Sequence, residues 1–555
     1  MIKSRITKLF FLLFSFIIIG CTISKSNETK YVVDNIENVK DDLTKQEKYN
    51  WQYKDVFEDS IAGISLNKAY RELLINKHCD TIIVAVLDTG IDINHIDLKN
   101  IFWKNSNEIG DNNLDDDNNG YVDDVHGWNF LGNEKGINVQ VSNYESTRFV
   151  RLYDTLFKNK SIQDFKGKDT LKFKQYKKAL KDYESKYEKA KKALEKYAFA
   201  LKQYDKMIAS LRPYFPNKNF TIEKLNAISV DDDSLKYFIE QMKLCITNEL
   251  KRNFFEDKEK WARVRFEQHL GASGYNESSI IGDNPNTLSD KGYGNNDVEG
   301  DSLTRYHGTQ VTGVLAGNRI NNQGIKGVTN CIKIMPLRIA ALGSERDKDI
   351  ALAIYYAVDN GAKVINMSFR NDFSIHREWV DEAIKYAASK DVVIAVAAGN
   401  ESLDSDIYFN YPNDQIENGS NFVNNLIVVG ASSYTKNIIS DFSNYGKNNV
   451  DIFAPGENIH TTTPNNKHLF IDGTSIATPI VSGIAALIRS YYPNLNAAEV
   501  KEIIMESGVS YDIMVKKPST NEEKELVPFS SLSKSGKIVN AYNALLLAEQ
   551  ISKKK

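Results

Sequence analysis

Five short apolar runs, separated by longer amphipathic stretches, constrain the fold of this 555-residue chain more than any other feature. The runs cover residues 81–87, 332–339, 363–369, 392–399 and 426–432. Their hydrophobicity is continuous rather than alternating, which is typical of strands buried on both faces. Amphipathic stretches over 347–360 and 377–390 lie between them and predict helices. This alternation predicts an α/β fold with a doubly wound parallel sheet.

The overall composition is that of a globular protein and excludes several functional classes. Hydrophobic residues make up 42% of the chain and charged residues 26%, which provides a core and argues against wholesale disorder. The formal net charge is −3, so we expect no nucleic-acid partner.

One long stretch departs from the strand–helix alternation. From 173 to 211, apolar and tyrosine residues recur at alternating spacings of three and four, and a second helical pattern covers 234–269. We interpret residues 146–270 as an antiparallel helical hairpin inserted into the α/β domain. Residues 151–212 carry 18 Lys/Arg and 8 Asp/Glu, a local net charge of +10. Two interpretations stay open: a structural insertion with a solvated face, or an arm that docks a protein partner, a substrate or an anionic surface.

The N-terminus carries the pattern of an export signal. Three basic residues precede an apolar run over 9–19, which is too short to span a bilayer and is typical of a signal peptide. The run ends at Gly20 and Cys21, and this ending resembles the bacterial lipobox. The resemblance implies cleavage before Cys21 and lipidation of its thiol. The alternative is a plain signal peptide with a chance cysteine.

These features predict where the protein is located. We expect a signal peptide over 1–20, a polar tether over 21–48, and a membrane attachment through lipid on Cys21. The expected location is the bacterial cell envelope: the outer membrane, the periplasm or the cell surface.

Three further cysteines, Cys79, Cys245 and Cys331, are too few for a disulfide framework and too dispersed for a zinc site. We expect them to be buried free thiols.

Three short motifs carry the residue types of nucleophilic catalysis. The first is Asp88-Thr89-Gly90, directly after the first apolar run, and the second begins with His307-Gly308-Thr309 before an apolar helical stretch. The third is 473–479 (GTSIATP), which places Ser475 at the start of another apolar helix. In this order the motifs resemble the subtilisin family of serine peptidases over about 50–145 and 290–510.

The resemblance implies a role for each of these residues. Ser475 would attack the scissile carbonyl, His307 would accept the serine proton, and Asp88 would orient and stabilise the imidazole. The family places an asparagine after a buried strand between the histidine and the serine. Here that residue is Asn400, which would complete the oxyanion hole. No cofactor is expected for the chemistry.

The resemblance also implies a substrate cleft. Extended polypeptide substrate would pair with the segment 368–370, and the segment 397–399 would wall the pocket for the residue before the cut. The predicted substrate-binding residues are Ser368, Phe369, Arg370, Ala397, Ala398 and Gly399. The family often has glycine where Arg370 stands, so we expect this cation to narrow the cleft or to favour acidic residues.

An acidic loop over 115–124 predicts a structural calcium ion. Oxygen ligands at positions 1, 3, 5, 7 and 9, with glycine at position 6, follow an EF-hand loop. The predicted ligands are Asp115, Asp117, Asn119, the Tyr121 carbonyl and Asp123. Position 12 is His126 instead of glutamate, so we expect a calcium-stabilised loop and not a true EF-hand. The alternative is an acidic, solvated turn.

Together these observations predict a lipid-anchored serine endopeptidase that hydrolyses polypeptides. Its peptidase domain would cover 49–145 and 271–550, on either side of the helical insertion. The alternative is a latent or inactive protein of subtilisin fold that acts as a binding protein through its basic hairpin.

Overall fold

The five predicted apolar runs form five neighbouring strands in the middle of one large sheet. The structure is a computed structural model and describes residues 32–319, 324–415 and 420–555. The strands are β1 (Val32–Val33), β2 (Ile82–Asp88), β3 (Trp128–Asn129), β4 (Ile332–Arg338), β5 (Ala362–Met367), β6 (Val393–Ala397), β7 (Leu426–Ser432), β8 (Ile452–Pro455), β9 (Ile459–Thr463), β10 (Lys467–Ile471), β11 (Val509–Tyr511), β12 (Met514–Lys516), β13 (Leu526–Pro528) and β14 (Lys537–Ile538).

The large sheet is parallel almost throughout. Its order is β1-β11-β14-β8-β7-β6-β5-β2-β4-β3, and only the pair β11–β14 is antiparallel. At its centre, Val84 of β2 pairs with Ile334 on one side and Val364 on the other. The predicted α/β fold with a parallel sheet is confirmed.

Helices cover both faces of this sheet, and further helices lie outside it. They are α1 (Lys45–Lys48), α2 (Leu66–Glu72), α3 (Glu145–Phe157), α4 (Lys168–Leu211), α5 (Ile222–Asn226), α6 (Asp233–Thr247), α7 (Arg252–Val264), α8 (Ser278–Ile281), α9 (Tyr306–Ala316), α10 (Asp347–Asp359), α11 (Arg377–Ser389), α12 (Thr474–Tyr491), α13 (Ala497–Ser507) and α14 (Ala541–Ser552). Because strand side chains alternate between faces, Val84 and Val86 pack towards α9 and α12, whereas Ala85 and Leu87 pack towards α10 and α11.

A long helical arm, residues 145–270, projects from the α/β core. Its main helix, α4, has 44 residues and is therefore about 66 Å long. Helix α7 runs antiparallel to it, because Tyr204 contacts Phe255 near one end of the pair while Tyr187 contacts Phe266 near the other. The predicted second helix is two helices, since Glu249 adopts a left-handed conformation (φ 55°) between α6 and α7.

The N-terminal tether prediction is wrong for residues 32–48. Strand β1 pairs with β11 at the edge of the sheet, and Val33, Val39 and Leu43 are buried. Single apolar side chains at irregular spacing fill this surface, so the segment has no periodicity that a sequence pattern could show. The predicted signal peptide, Cys21 and the first part of the tether lie outside the described residues.

The prediction of free thiols is wrong for two of the three cysteines. Cys79 and Cys331 form a disulfide across 252 residues of sequence, while Cys245 is a free, half-buried thiol. The two disulfide cysteines precede β2 and β4, which are paired neighbours from Ile82 and Ile332 onwards. Sheet topology therefore places them side by side, and sequence spacing alone does not reveal this.

No helix within 32–319, 324–415 and 420–555 is both long enough and apolar enough to cross a lipid bilayer.

Candidate active site

Asp88 and His307 are 219 residues apart in the chain and form a direct hydrogen bond in the structure. Asp88 ends strand β2 and is only 2% exposed, and its Oδ1 lies 2.7 Å from His307 Nδ1. The same oxygen accepts the Thr89 backbone N–H at 2.7 Å, which fixes the carboxylate. The side chain of His307 is 34% exposed, so its other edge is open to the cleft.

His307 lies within helix α9, whereas the sequence predicted that it precedes this helix. The helix begins at Tyr306, and the Gly308 backbone N–H donates to Thr89 Oγ1 at 2.8 Å. A Cβ at Gly308 would lie 2.7 Å from the carbonyl oxygens of Thr89 and Gly90. Glycine at this position therefore lets the start of α9 approach the end of β2 and brings His307 to Asp88.

Ser475 is the second residue of helix α12, near its positive N-terminal end. Gly473 precedes the helix with φ 155°, and a Cβ there would lie 2.8 Å from Ser475 Oγ. Pro479 lies four residues further along the helix and has no N–H to donate to the Ser475 carbonyl. The Ser368 hydroxyl donates to that carbonyl instead, at 2.7 Å. The nucleophile candidate is thereby linked to the segment that follows β5.

Asn400 follows strand β6 and faces the start of helix α12. Its Oδ1 accepts both the Thr474 backbone N–H and the Thr474 hydroxyl, each at 2.9 Å. This leaves the Nδ2 donor on the side of Gly473, where it lies 3.8 Å from the position of a Cβ on that glycine. The Nδ2 donor of Asn400 therefore faces the segment that leads into Ser475.

These four residues share one cleft, at the edge of the sheet where parallel strands end. Asp88, His307, Asn400 and Ser475 all line it. Among the described residues, the Ser475 hydroxyl makes no hydrogen bond to His307. Such contacts are often long in the absence of substrate and shorten when it binds.

The cleft raises the pKa of the histidine. Burial alone lowers the pKa of His307, but the charge of Asp88, its hydrogen bond and the charge of Glu345 together outweigh burial, so the net shift is upward. Glu345 lines the same cleft, and burial, with a contribution from the Asp88 charge, raises its own pKa to about 7. The cleft therefore holds two groups, His307 and Glu345, whose pKa values are both raised above their ordinary values.

The predicted substrate-binding residues divide between two adjoining cavities. Ser368, Phe369, Arg370, Ala397 and Gly399 line the cleft with Ser475. Ala398 lines the second cavity, which also includes Arg370 and Ala397.

The base of the arm contacts the wall of this cleft. Arg148 of α3 donates from Nη2 to the carbonyl oxygens of Ser344 and Glu345, at 3.0 and 2.7 Å. Its Nε and Nη1 donate to Glu145 and Glu277, at 2.7 and 2.6 Å. All three charged side chains are at least nine-tenths buried, so the arm and the cleft loop meet through one buried ion-pair network.

The acidic loop assembles a different set of oxygen atoms from the predicted one. Asp115 and Asp117 lie together with Glu108, with one carboxylate oxygen from each within 4.8 Å of the others. Asn119 adjoins them, because its N–H donates to both aspartates at 3.0 Å. Asp123 is not part of the group, because its two oxygens accept the backbone N–H groups of Asn112 and Asn113.

Glu108 fits a cation at this loop. The residue is only 7% exposed. Its Oε1 accepts the backbone N–H groups of Asp116 and Asp117. Its Oε2 is buried and has no hydrogen-bond partner among the described residues. The Tyr121 N–H donates to Asn119 and its ring packs against Trp128, which anchors the end of the loop.

Two of these residues were missed by sequence reasoning. Glu345 lies in the loop between β4 and α10, so the only available signal was an acidic residue at the carboxyl edge of a parallel strand. Glu108 precedes the acidic run by seven residues, and no ligand spacing of an EF-hand includes it.

Comparison with known proteins agrees with this arrangement. Residues 80–527 match the profile of the Subtilase family, peptidase S8. The chain is 37% identical over 203 residues to the thermophilic serine proteinase of Bacillus sp. (strain AK1). This match covers 36% of this chain and 46% of that protein. It is 34% identical over 231 residues to the cell wall-associated protease of Bacillus subtilis (strain 168). That match covers 41% of this chain and 22% of the Bacillus subtilis protein.

A shorter relative gives a similar match. Thermitase of Thermoactinomyces vulgaris is 35% identical over 185 residues, which is 33% of this chain and 61% of thermitase. The chain thus spans less than two thirds of the length of these relatives. The family profile nevertheless covers most of the chain and includes Asp88, His307, Asn400 and Ser475. The chain belongs to the Subtilase family.

Proposed function

We propose that the protein is a serine endopeptidase that hydrolyses peptide bonds in polypeptide substrates. The observation that carries the proposal is the 2.7 Å hydrogen bond between Asp88 and His307 in a cleft that also holds Ser475 and Asn400. Family membership supports it, because the relatives named above are proteases.

In the proposed mechanism each side chain has one role. His307 receives the hydroxyl proton of Ser475 as the serine oxygen attacks the scissile carbonyl carbon, and later gives that proton to the leaving amine. Asp88 holds the Nδ1 proton of the imidazole, so Nε2 is the free base. The Asn400 Nδ2 and the N-terminus of α12 stabilise the negative charge that develops on the carbonyl oxygen. Water then hydrolyses the acyl-enzyme by the same steps in reverse.

Active-site labelling tests this function. A fluorophosphonate forms a covalent bond only with an activated serine, so the full chain should be labelled and Ser475→Ala should not. Ser482→Ala is the matched control, since Ser482 lies on the same helix and hydrogen-bonds Asn366. Folded wild-type protein that stays unlabelled would contradict the proposal and favour an inactive binding protein. A protein substrate such as casein then distinguishes an endopeptidase from a small-ester hydrolase.

We also propose that the protein is exported and anchored to a bacterial membrane by lipid on Cys21. The basic and apolar N-terminal pattern supports this. So does the Cys79–Cys331 disulfide, because disulfides persist in oxidising compartments outside the cytosol. Cells fed labelled palmitate should transfer label to the wild type and not to Cys21→Ser. Label on both proteins, or on neither, contradicts the proposal.

A structural Ca²⁺ at the loop of Glu108, Asp115 and Asp117 is a third proposal. The ion would satisfy the unpartnered Oε2 of Glu108 and the charge of two neighbouring aspartates. The expected result is a wild-type melting temperature that rises in Ca²⁺ relative to EDTA by several degrees, with no rise in Glu108→Gln. Glu134→Gln, an exposed change in the turn after β3, is the control. Equal Ca²⁺ responses in all three proteins would contradict the site.

Docking of a protein partner at the arm stays a prediction. Exposed aromatic side chains on three of its helices, Phe199, Tyr237 and Trp261, support it.

A further inference from the structure

The Arg370 guanidinium borders both the catalytic cleft and the small cavity next to it. It follows β5 by three residues, and two residues before it Ser368 contacts the carbonyl of Ser475. Its aliphatic chain packs against the backbone of Gly399, where a Cβ would lie 2.2 Å from Arg370 Cδ. The guanidinium therefore stands at the wall formed by the end of β6, in the cleft that Ser475 also lines.

This guanidinium has unused hydrogen-bond donors. Its Nε and Nη2 are buried and have no partner among the described residues. A buried charged donor without a partner is unfavourable, so such groups are normally paired.

The acidic side chains whose charge acts on Arg370 are engaged elsewhere. Glu401 accepts the Asn400 N–H and the Asn444 amide, and Asp372 accepts the Asn410 amide. Burial lowers the pKa of Arg370 to about 10, and these two carboxylates oppose that shift. The guanidinium thus stays charged at neutral pH while its inner N–H groups remain available.

The adjoining cavity matches a small anionic group. It has a volume of about 20 Å³, which admits a group of one or two water molecules' size and excludes an aromatic ring. Arg370 Nε, Arg370 Nη2 and the unpartnered Ser405 hydroxyl are three donor atoms, and Asn410 Oδ1 is the one unpartnered carbonyl acceptor among the described lining residues. A carboxylate accepts such a pair of guanidinium N–H groups in a bidentate arrangement.

We propose that Arg370 gives the cleft a specificity for substrates with an acidic residue, glutamate or aspartate, immediately before the scissile bond. This inference rests on the proposed peptidase function. The substrate carboxylate satisfies the buried guanidinium, and an uncharged residue leaves it unpaired.

Peptides that differ only in the residue before the cut test the specificity. The full chain should cleave a Glu peptide with a kcat/KM at least about tenfold above that of the isosteric Gln peptide and of a Leu peptide. Arg370→Gly should lose the Glu preference and cleave the Leu peptide faster than the wild type does. Lys390→Gln, which removes an exposed charge outside the cleft, should keep the wild-type order. Equal Glu and Gln rates in the wild type, or an unchanged Glu preference in Arg370→Gly, would overturn the inference.

Inactivation by peptidyl phosphonates gives a second measurement that needs no turnover. A phosphonate with Glu at the reacting position should inactivate the wild type faster than its Gln counterpart, and Arg370→Gly should show no such difference. The simple fluorophosphonate reports the function separately. Labelling of Ser475 without a Glu preference overturns this inference alone, whereas no labelling in folded protein overturns the peptidase function and the inference with it.

Discussion

At the scale of single residues, the Asp88–His307 pair determines how the site responds to pH. Asp88 is buried, yet it makes a hydrogen bond to the imidazole that is charge-assisted when the ring is protonated. The pair, together with Glu345, holds the pKa of His307 above its ordinary value of 6.5. Because the base must be neutral to accept a proton, activity is present above the raised pKa and is lost as the pH falls through it.

The fall of the fluorophosphonate labelling rate at acidic pH tests this reasoning. We expect its midpoint above pH 6.5 in the wild type and at lower pH in Glu345→Gln, since that change removes a negative charge that stabilises the imidazolium. The measurement is the rate of fluorophosphonate labelling between pH 5 and 9. A midpoint that does not move in Glu345→Gln would show that this carboxylate does not act on His307.

Asn400 allows a prediction that separates binding from catalysis. Asn400→Ala removes the Nδ2 donor, and loss of the equivalent donor in subtilisin lowers kcat by about 10²–10³. We expect a loss of this size in kcat with little change in KM, measured on a peptide substrate. A loss confined to KM would place Asn400 in substrate binding instead.

The sequence motifs identified four of the site residues but not Glu345 or Glu108, and the difference has a physical cause. Asp88, His307, Ser475 and Asn400 lie in short motifs with glycines that close backbone approach or a positive φ requires, so each motif is visible locally. Glu345 and Glu108 join their sites only through tertiary folding, and neither has a spacing that marks it.

At the scale of elements, the arm is connected to the cleft through one buried arginine. Arg148 joins α3 to Glu277 and to the loop carbonyls of Ser344 and Glu345. Arg148→Met would leave two buried carboxylates, Glu145 and Glu277, without their partner. We expect a loss of about 3–5 kcal/mol in the free energy of unfolding, measured by urea denaturation.

A control at the C-terminal end of the same helix separates burial from charge. Lys158→Gln breaks an exposed pair with Asp154 and should cost at most about 1 kcal/mol. Equal losses in the two variants would mean that the network at the arm base contributes no more than a surface pair.

Elements with strong periodicity were predictable, and the others were not. The five central strands, α10 and α11 follow their apolar patterns within a few residues. The apolar pattern of the arm continues across the break between α6 and α7, so the turn at Glu249 was not visible. The short strand β1 has two residues and depends on its partner β11 for its conformation.

At the scale of the whole molecule, the disulfide between Cys79 and Cys331 joins the segments that lead into the paired strands β2 and β4. Cross-linking residues 252 positions apart reduces the entropy of the unfolded chain. We expect Cys79→Ser combined with Cys331→Ser to lower the free energy of unfolding by about 2–4 kcal/mol in urea denaturation. Cys245→Ser should change it little, because that thiol is free and half-buried. An unchanged unfolding midpoint in the double variant would contradict this expectation.

The same connection determines what happens when the protein is cut by another protease. The whole arm lies between the two bridged cysteines, and its exposed turns are natural places for cleavage. A single nick there would separate Asp88 and His307 onto two polypeptides, one of which also carries Ser475. The disulfide would still hold these polypeptides together as one covalent molecule, with both paired strands in the same sheet. A chain nicked in the arm therefore stays one covalent molecule, and its two polypeptides separate on a denaturing gel only after a reductant is added.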